Sequence, residues 1–465
     1  MATITGNAGD NVLNGGIEDD LLKGLAGNDT LRGLGGADTM NGGLGDDVYI
    51  VADSTDVILD SGGHDTVRVA LALFDLNNWA SIEDLELTYT GGSILYGNSL
   101  NNRITGNLGI DWLYGGAGQD SLIGMEGRDT MYGGLGQDLL DGGTQDDILY
   151  GGESGDVLRG GRGSDSLYGS FFGGDGPDTI YGGLGHDYLS GDLGNDLIYG
   201  GSGNDNGGGE EGDDRFYGGG GTDSFYGWSG NDRMFGGSGD DDLGGNDGDD
   251  SIVGGAGNDE MLGDTGNDTL TGDEGHDSLY AGDGRDLLNG GAGSDVLSLG
   301  TGQAERAYGG DGNDIIYGGN GRKELYGGNG NDEIQAGNGR QVLEGAGGQD
   351  RLMAGDGLNV LTGGVGEDSF LFLAATHPGT PANPDHITDF NHADDTIYLG
   401  TFMLGFSFIG GNAFSGGSDG GKEIRYQKAL GRLTGDVDAD GVADWAIILD
   451  NKANLNGSDL QILMA

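Results

Sequence analysis

Cysteine is absent, lysine and arginine together number only 20 in 465 residues, and proline only 4. No apolar run approaches the roughly 18 residues that would span a membrane. Without cysteine there is no disulfide framework and no thiolate zinc site, and the redox compartment stays open. So few cations against 78 Asp and Glu leave a formal charge of −58. That charge repels nucleic acid and anionic membrane surfaces and drives the bare chain apart, so its natural partners are cations. The N-terminus, MATITGNAGDNVLNGG, has neither a basic n-region nor an apolar h-region. No cleaved export signal is read there, and an export address would lie elsewhere. No HExxH zinc helix occurs either, and the six histidines (His64, His186, His276, His377, His386, His392) are scattered.

What is abundant is glycine, 109 residues, in a chain about one third apolar. Such composition alone fits a disordered linker better than a conventional core. A period of nine opposes that reading. Fourteen consecutive nonapeptides run without insertion from Gly173 to Ser298, seven more from Gly106 to Tyr168, five from Gly6 to Ile50, and seven from Gly309 to Leu371. The unit is Gly-Gly-x-Gly-x-Asp-x-(apolar)-x, as in GGAGNDEML at Gly254–Leu262.

Each position has a physical role. Glycine permits tight turning and leaves backbone carbonyls bare. The apolar eighth residue, such as Leu122, Leu189, Ile252 or Leu270, points inward from a short strand, and positions seven and nine then point outward. One unit cannot bury its own face, so two units form a coil and coils stack as a solenoid with its turns aligned in two rows. The sixth position is a carboxylate. It falls on Asp20, Asp29, Asp38 and Asp47, then on Asp111, Asp120, Asp129, Asp138, Asp147, Asp156 and Asp165. The fourteen-unit run supplies Asp178, Asp187, Asp196, Asp205, Asp214, Asp223, Asp232, Asp241, Asp250, Asp259, Asp268, Asp277, Asp286 and Asp295. Asp314, Asp332, Asp350 and Asp368 complete the set. These oxygens suit a hard cation, and an ion held between turns eighteen residues apart would draw carboxylates and carbonyls from both, reaching the six or so oxygens of Ca²⁺. About twenty divalent ions would neutralise the 29 carboxylates.

With these tandem frames over most of its length, the chain resembles the RTX family of hemolysin-type calcium-binding proteins, whose signature is this nonapeptide. The resemblance implies an all-β fold, a right-handed parallel β-roll, with calcium in the turns and export by a type I secretion system.

The repeat departs from itself in three places. The segment Val51–Thr105 loses the nonapeptide but keeps alternating apolar residues, as in DTVRVALALFDL, and is expected to continue the solenoid as longer strands with fewer ions. From Leu299 on, every second frame lacks its Asp: Ala304, Lys323, Gln341 and Asn359 alternate with the four last aspartates. One turn row should therefore be calcium-poor, with Arg322, Lys323 and Arg340 where ions would sit. Relaxed selection, a turn row capped by side chains, and a binding face all remain open there. Finally, position nine is Tyr at 114, 132, 150 and 168, an aromatic ladder on one sheet. After the insert Gly169–Phe172, too short for half a coil, Tyr181, Tyr199 and Tyr217 should stack on the other sheet.

After Phe372 glycine thins and aromatics rise, as expected of a β-rich C-terminal cap. Segments HITDFNHADDTIYL, GDVDADGVADWAIIL and NGSDLQILMA resemble the C-terminal region of serralysin-type proteases, which implies an uncleaved type I secretion signal. Asp436, Asp438, Asp440 and Asp444 invite comparison with an EF-hand loop, but the twelfth residue is Ile447 rather than Glu, and a hairpin turn at Asp440-Gly441 is expected.

The organisation read from the sequence is thus 1–50 repeats, 51–105 strand block, 106–371 main roll, and 372–465 cap with secretion signal. The function expected is that of a secreted, non-enzymatic extracellular calcium-binding protein, with calcium and the type I secretion machinery as partners and no membrane span. The alternatives are the non-catalytic module of a secreted enzyme or toxin system, whose catalytic part would be a separate polypeptide because repeats begin by Gly6, and a surface adhesin that binds polysaccharide through its tyrosines.

Overall fold

The computed structural model describes residues 1–170, 176–412 and 422–463. Phe171 and Phe172 of the insert, the first three residues of the frame at Gly173, and the C-terminal Met464 and Ala465 lie outside the described residues. The chain divides into two compact units, Met1–Ser229 and Gly230–Ala465. Each is an all-β parallel solenoid, a β-roll, with no α-helix among the described residues.

In a repeat frame the strand starts just after the aspartate and runs through position nine into the next glycine pair. Ser121–Glu126 is typical. It pairs in parallel eighteen residues on, Ser121 with Leu139 and Leu122 with Leu140. Position-eight side chains such as Leu113, Leu122, Leu149 and Ile252 have no exposed surface. Burying one of them contributes about 1.5–3 kcal/mol. Ordering a single backbone residue costs about 1–2 kcal/mol, so one inward side chain in nine cannot hold the coil. The turns must contribute the rest.

In unit one, Asp20 and Asp38 precede strands of a four-stranded sheet, Thr3–Thr5, Leu21–Ala26, Thr39–Leu44 and Val57–Leu59. Two longer parallel sheets carry the remaining frames. The 51–105 strands are only three or four residues long, among them Val57–Leu59, Thr66–Val69 and Asp84–Leu87. The longer strands expected there are not found. The glycine pair that carries a repeat strand into its next turn is missing after Val69 and Leu87, and a 3-10 turn, Leu76–Asn78, capped by Asp75, breaks the chain instead. Parallel pairing nonetheless runs from Val48–Val51 through Thr66–Val69 and Asp84–Leu87 to Arg103–Thr105.

The Gly169–Phe172 insert is absorbed within one coil. The backbone N–H groups of Asp156 and Asp165 donate to carboxylates 22 residues on, Asp178 and Asp187, where 18 is the rule. Both flanking sheets stay in register, Val157 opposite Thr179 and Ser166 opposite Tyr188. The insert leaves the frames on their sheets, and the tyrosines change sheets because after it they occupy the alternate frames, Tyr181 opposite Arg159 and Ser190 opposite Tyr168. Rings of Tyr96, Tyr114, Tyr132, Tyr150 and Tyr168 stack 4.7–4.9 Å apart on one sheet. Tyr181, Tyr199 and Tyr217 stack at 4.9 Å on the other.

Unit two ends in a β-rich cap built on both sheets. Asn383–Ile387 and then Trp445–Leu449 extend one sheet in parallel, and Arg432–Asp436 and Glu423–Gln427 turn antiparallel beyond them. Thr396–Leu399 and Leu460–Ile462 extend the other. The hairpin expected at Asp440-Gly441 joins Arg432–Asp436 to Trp445–Leu449.

Candidate metal centres

All 29 position-six aspartates are at least 95% buried. In unit one, Asp29, Asp47, Asp120, Asp138, Asp156, Asp178, Asp196 and Asp214 line the turns before one long sheet, and Asp111, Asp129, Asp147, Asp165, Asp187, Asp205 and Asp223 those before the other. In unit two, Asp232, Asp250, Asp268 and Asp286 form one row. Asp241, Asp259, Asp277, Asp295, Asp314, Asp332, Asp350 and Asp368 form the second.

Each carboxylate bridges two coils. Oδ1 of Asp129 accepts the N–H of Asp111 at 2.8 Å, and Oδ1 of Asp147 accepts that of Asp129 at 2.8 Å. The second oxygen is different. Oδ2 of Asp120, Asp129, Asp138 and Asp147, and of Asp259, Asp268, Asp277, Asp332 and Asp350, is buried without a hydrogen-bond partner. It lies against the first glycine of its own frame. A methyl group added to Gly115 would meet Oδ2 of Asp120 at 2.5 Å and the carbonyl oxygen of Gly133, one coil on, at 2.6 Å. The first glycine is thus required by the oxygens crowding beside it. The second has a separate reason, φ of +111° at Gly116, a conformation that Met125 also holds in its frame at +82°.

Orphaned carboxylate oxygens beside bare carbonyls, with no nitrogen or sulfur donor, fit a hard cation such as Ca²⁺. The electrostatics agree. Burial pushes the carboxyl of Asp129 up to about 7 and those of Asp147 and Asp156 up to about 8, against the bonds from the preceding coil's N–H groups, which lower them. In unit two burial does the same, to about 7 at Asp268 and Asp332 and about 6 at Asp259 and Asp277. Unneutralised negative charge in these turns is unfavourable.

The row that loses its aspartates is capped by side chains. Sequence framing puts Ala304 at position six, but the register places Glu305 there, opposite Lys323, because the coil from Asp286 has one extra residue. Lys323 is fully buried. Its Nζ donates to the carbonyls of Gly300 and Gly302 at 3.1 Å each and pairs with the Glu305 carboxylate. An ammonium group therefore does here what a cation would do. Gln341 Nε2 donates to Gly319 O at 2.8 Å, and Asn359 Nδ2 to Gly355 O at 3.0 Å. Arg322 is exposed and pairs on the surface with Glu324, so it does not enter the turn. Arg340 is exposed as well. Unit one has the same device at Asn102, which is buried at position six and whose Nδ2 donates to the carbonyls of Ile82 and Glu83.

The rows also contain residues that counting frames misses. Asp56 and Asp65 are buried, with unpartnered Oδ2 atoms, and continue the nine-residue spacing of Asp38 and Asp47. Asp385 and Asp395 close the two rows in the cap, accepting the N–H groups of Asn359 and Asp368 at 2.7 and 3.0 Å. The signal in each case is Asp followed two residues later by an inward aliphatic: Ile58, Val67, Ile387, Ile397. No Gly-x-Ser-x-Gly nucleophile elbow is expected from the sequence reading, but the string is present at Gly416 to Gly420, outside the described residues.

No curated protein matches the chain. The family model for the RTX calcium-binding nonapeptide repeat, written as four copies, matches repeatedly over 3–49, 96–167, 172–206, 208–297 and 299–370. Those spans are most of the chain and contain all 29 aspartates, and the chain belongs to this calcium-binding RTX family.

Proposed function

We propose that the chain is a secreted, extracellular, non-enzymatic β-roll whose 29 position-six aspartates are its calcium ligands and which folds as calcium binds outside the cell. One observation carries this reading: row upon row of buried carboxylates, each with one oxygen tied to the neighbouring coil and, in most turns, the other left unpaired. Calcium supplies the positive charge and the demand for oxygen ligands. The chain supplies the two rows, holds each carboxylate toward the next coil, and keeps the space beside the first glycine clear. Where Ca²⁺ is scarce, carboxylate repulsion and glycine entropy keep the chain open and threadable. Where it is plentiful, binding free energy becomes folding free energy. The serralysin-like segment 372–465 is assigned the type I secretion address and, leaving the cell first, the nucleus of the roll.

Far-UV circular dichroism during a calcium titration tests this. The expected result is a disordered spectrum in chelator that becomes strongly β by millimolar Ca²⁺. A full β signal in chelator would reject it.

A second reading is favoured by the tyrosine stack. Tyr132 and Tyr150, with Leu135 and Glu153, line a shallow groove on the solvent side of the sheet. Stacked rings of this kind suit the apolar faces of sugars. Polysaccharide retention by the calcium-loaded chain, lost on Tyr132→Ala with Tyr150→Ala, is expected if the surface is an adhesin. No binding by the intact chain on a glycan array, with and without Ca²⁺, would remove it.

A further inference from the structure

The hairpin of the cap carries an acidic loop that belongs to neither turn row. Asp436, Asp438 and Asp444 each bring one carboxylate oxygen within 4.8 Å of the others. Asp436, the last residue of its strand, is 99% buried. Its Oδ2 accepts the N–H of Gly441 at 2.8 Å, while Oδ1 is buried with no hydrogen-bond partner. No ion pair reaches any of the three among the described residues. An unpaired buried carboxylate oxygen at the base of an acidic loop needs a positive partner.

The loop backbone is turned to gather these groups. Ala439 and Gly441 hold φ of +62° and +90°, in a run where acidic residues alternate, Asp436, Asp438 and Asp440. Asp438, Asp440 and Asp444 each tie one oxygen to a loop N–H, those of Asp440, Val442 and Val437, and of these three Asp438 and Asp444 lie in the cluster with Asp436. The place where an EF-hand loop has its bidentate Glu is Ile447, committed to the sheet and fully buried. Asp444, at the mouth of the second strand, lies instead with Asp436 and Asp438.

We propose that the Asp436–Asp444 loop is a site for a divalent cation of the calcium class, separate from the repeat turns, that pins the ends of the cap hairpin. Its position gives it a purpose. Strand Trp445–Leu449 pairs with Asn383–Ile387, Ile447 opposite Asp385, at the end of the row whose preceding turns are held by Glu305, Lys323, Gln341 and Asn359. A cation in the hairpin fastens the cap where that row has given up its aspartates. The inference stands on residues outside the nonapeptides, so it can fail while the β-roll reading holds.

Trp445, buried and adjacent to Asp444, is a built-in antenna for Tb³⁺ used in place of Ca²⁺. Full-length chain is excited at tryptophan and titrated with Tb³⁺, and the emission component that disappears in Trp445→Phe is taken as the hairpin signal. The expected result is loss of that component in the Asp438→Asn, Asp444→Asn double variant, with the calcium-dependent circular dichroism unchanged. Both substituted side chains are exposed, and Asp438→Asn alone, expected to weaken Tb³⁺ binding by about tenfold or more, serves if the double variant loses its β signal. A Trp445-dependent component that persists in these variants, or its absence from the unmodified chain, overturns the proposal.

Discussion

The two turn rows of Gly230–Ala465 are close neighbours built to opposite electrical plans. On one, Asp314, Asp332, Asp350 and Asp368 hand carboxylates from coil to coil. On the other, Lys323, Gln341 and Asn359 present N–H donors to the carbonyls that would otherwise face an ion. The strands record the difference. In the aspartate row they are three residues long, Ile315–Tyr317, Glu333–Gln335 and Arg351–Met353. In the capped row they lengthen to seven and then nine, Lys323–Asn329, Gly339–Gly347 and Gly357–Val365, the first beginning at position six and the other two running through it. The same coil thus carries one turn lined by a buried carboxylate and one closed by side-chain N–H donors.

Removing the ion should break the comparison most completely. In chelator the chain is expected to lose nearly all its β signal, and hydrogen exchange during partial chelation should open the aspartate turns at 330–335 and 348–353 before the capped turns at 321–326 and 339–344. Equal exchange in both rows would mean that the capped row gains nothing from its donors. Acidification of calcium-free chain comes next. The aspartates of folded coils sit above the ordinary carboxyl value of 3.8, at about 6 to 8 for Asp259, Asp129 and Asp147, so protons favour the folded form. That stability is fully present below about pH 4 and is lost as pH rises through 6 to 8. Circular dichroism without Ca²⁺ should therefore show more β structure at pH 4 than at pH 8. With calcium bound the trend reverses, because protons compete for its ligands.

Substitutions sharpen the contrast on a smaller scale. Lys323→Met leaves Glu305 buried without its partner and should cost about 3–5 kcal/mol in denaturant unfolding at saturating calcium. Lys323→Asp should do comparable harm at low calcium but be rescued as calcium rises, since it restores an oxygen to the turn. Gln341→Ala removes one hydrogen bond to Gly319 and should cost about 1 kcal/mol at saturating calcium, with only a small rise in the calcium midpoint of folding.

Much of this was legible in the sequence. The period of nine located the inward residues and the two rows, and the eighteen-residue spacing of tyrosines located their stacks. What escaped did so for physical reasons. Glu305 was hidden because a single extra residue shifts the frame, and only strand register reveals it. Asp56 and Asp65 keep the spacing but not the glycines, and the glycines were what marked a frame. Lys323 was placed correctly in the turn but alongside Arg322 and Arg340, and sequence alone does not say which basic side chain is short enough and suitably directed to turn inward. The strand lengths in 51–105 depend on how each turn hands the chain onward, which no alternation of apolar residues encodes.

The 22-residue coil has a consequence for how such a protein can change. Four additional residues enter at one turn, and the downstream carboxylates and strands keep their register with the coil before. Because the ends of a loop already meet at a turn, lengthening it costs little in closure entropy, about 0.6 kcal/mol per doubling. The molecule is thus punctuated at every turn by places where new sequence can be spliced without re-phasing the coils downstream. A binding peptide or an entire small domain could be grafted between Gly169 and Gly176, and the rest of the roll would continue its count undisturbed.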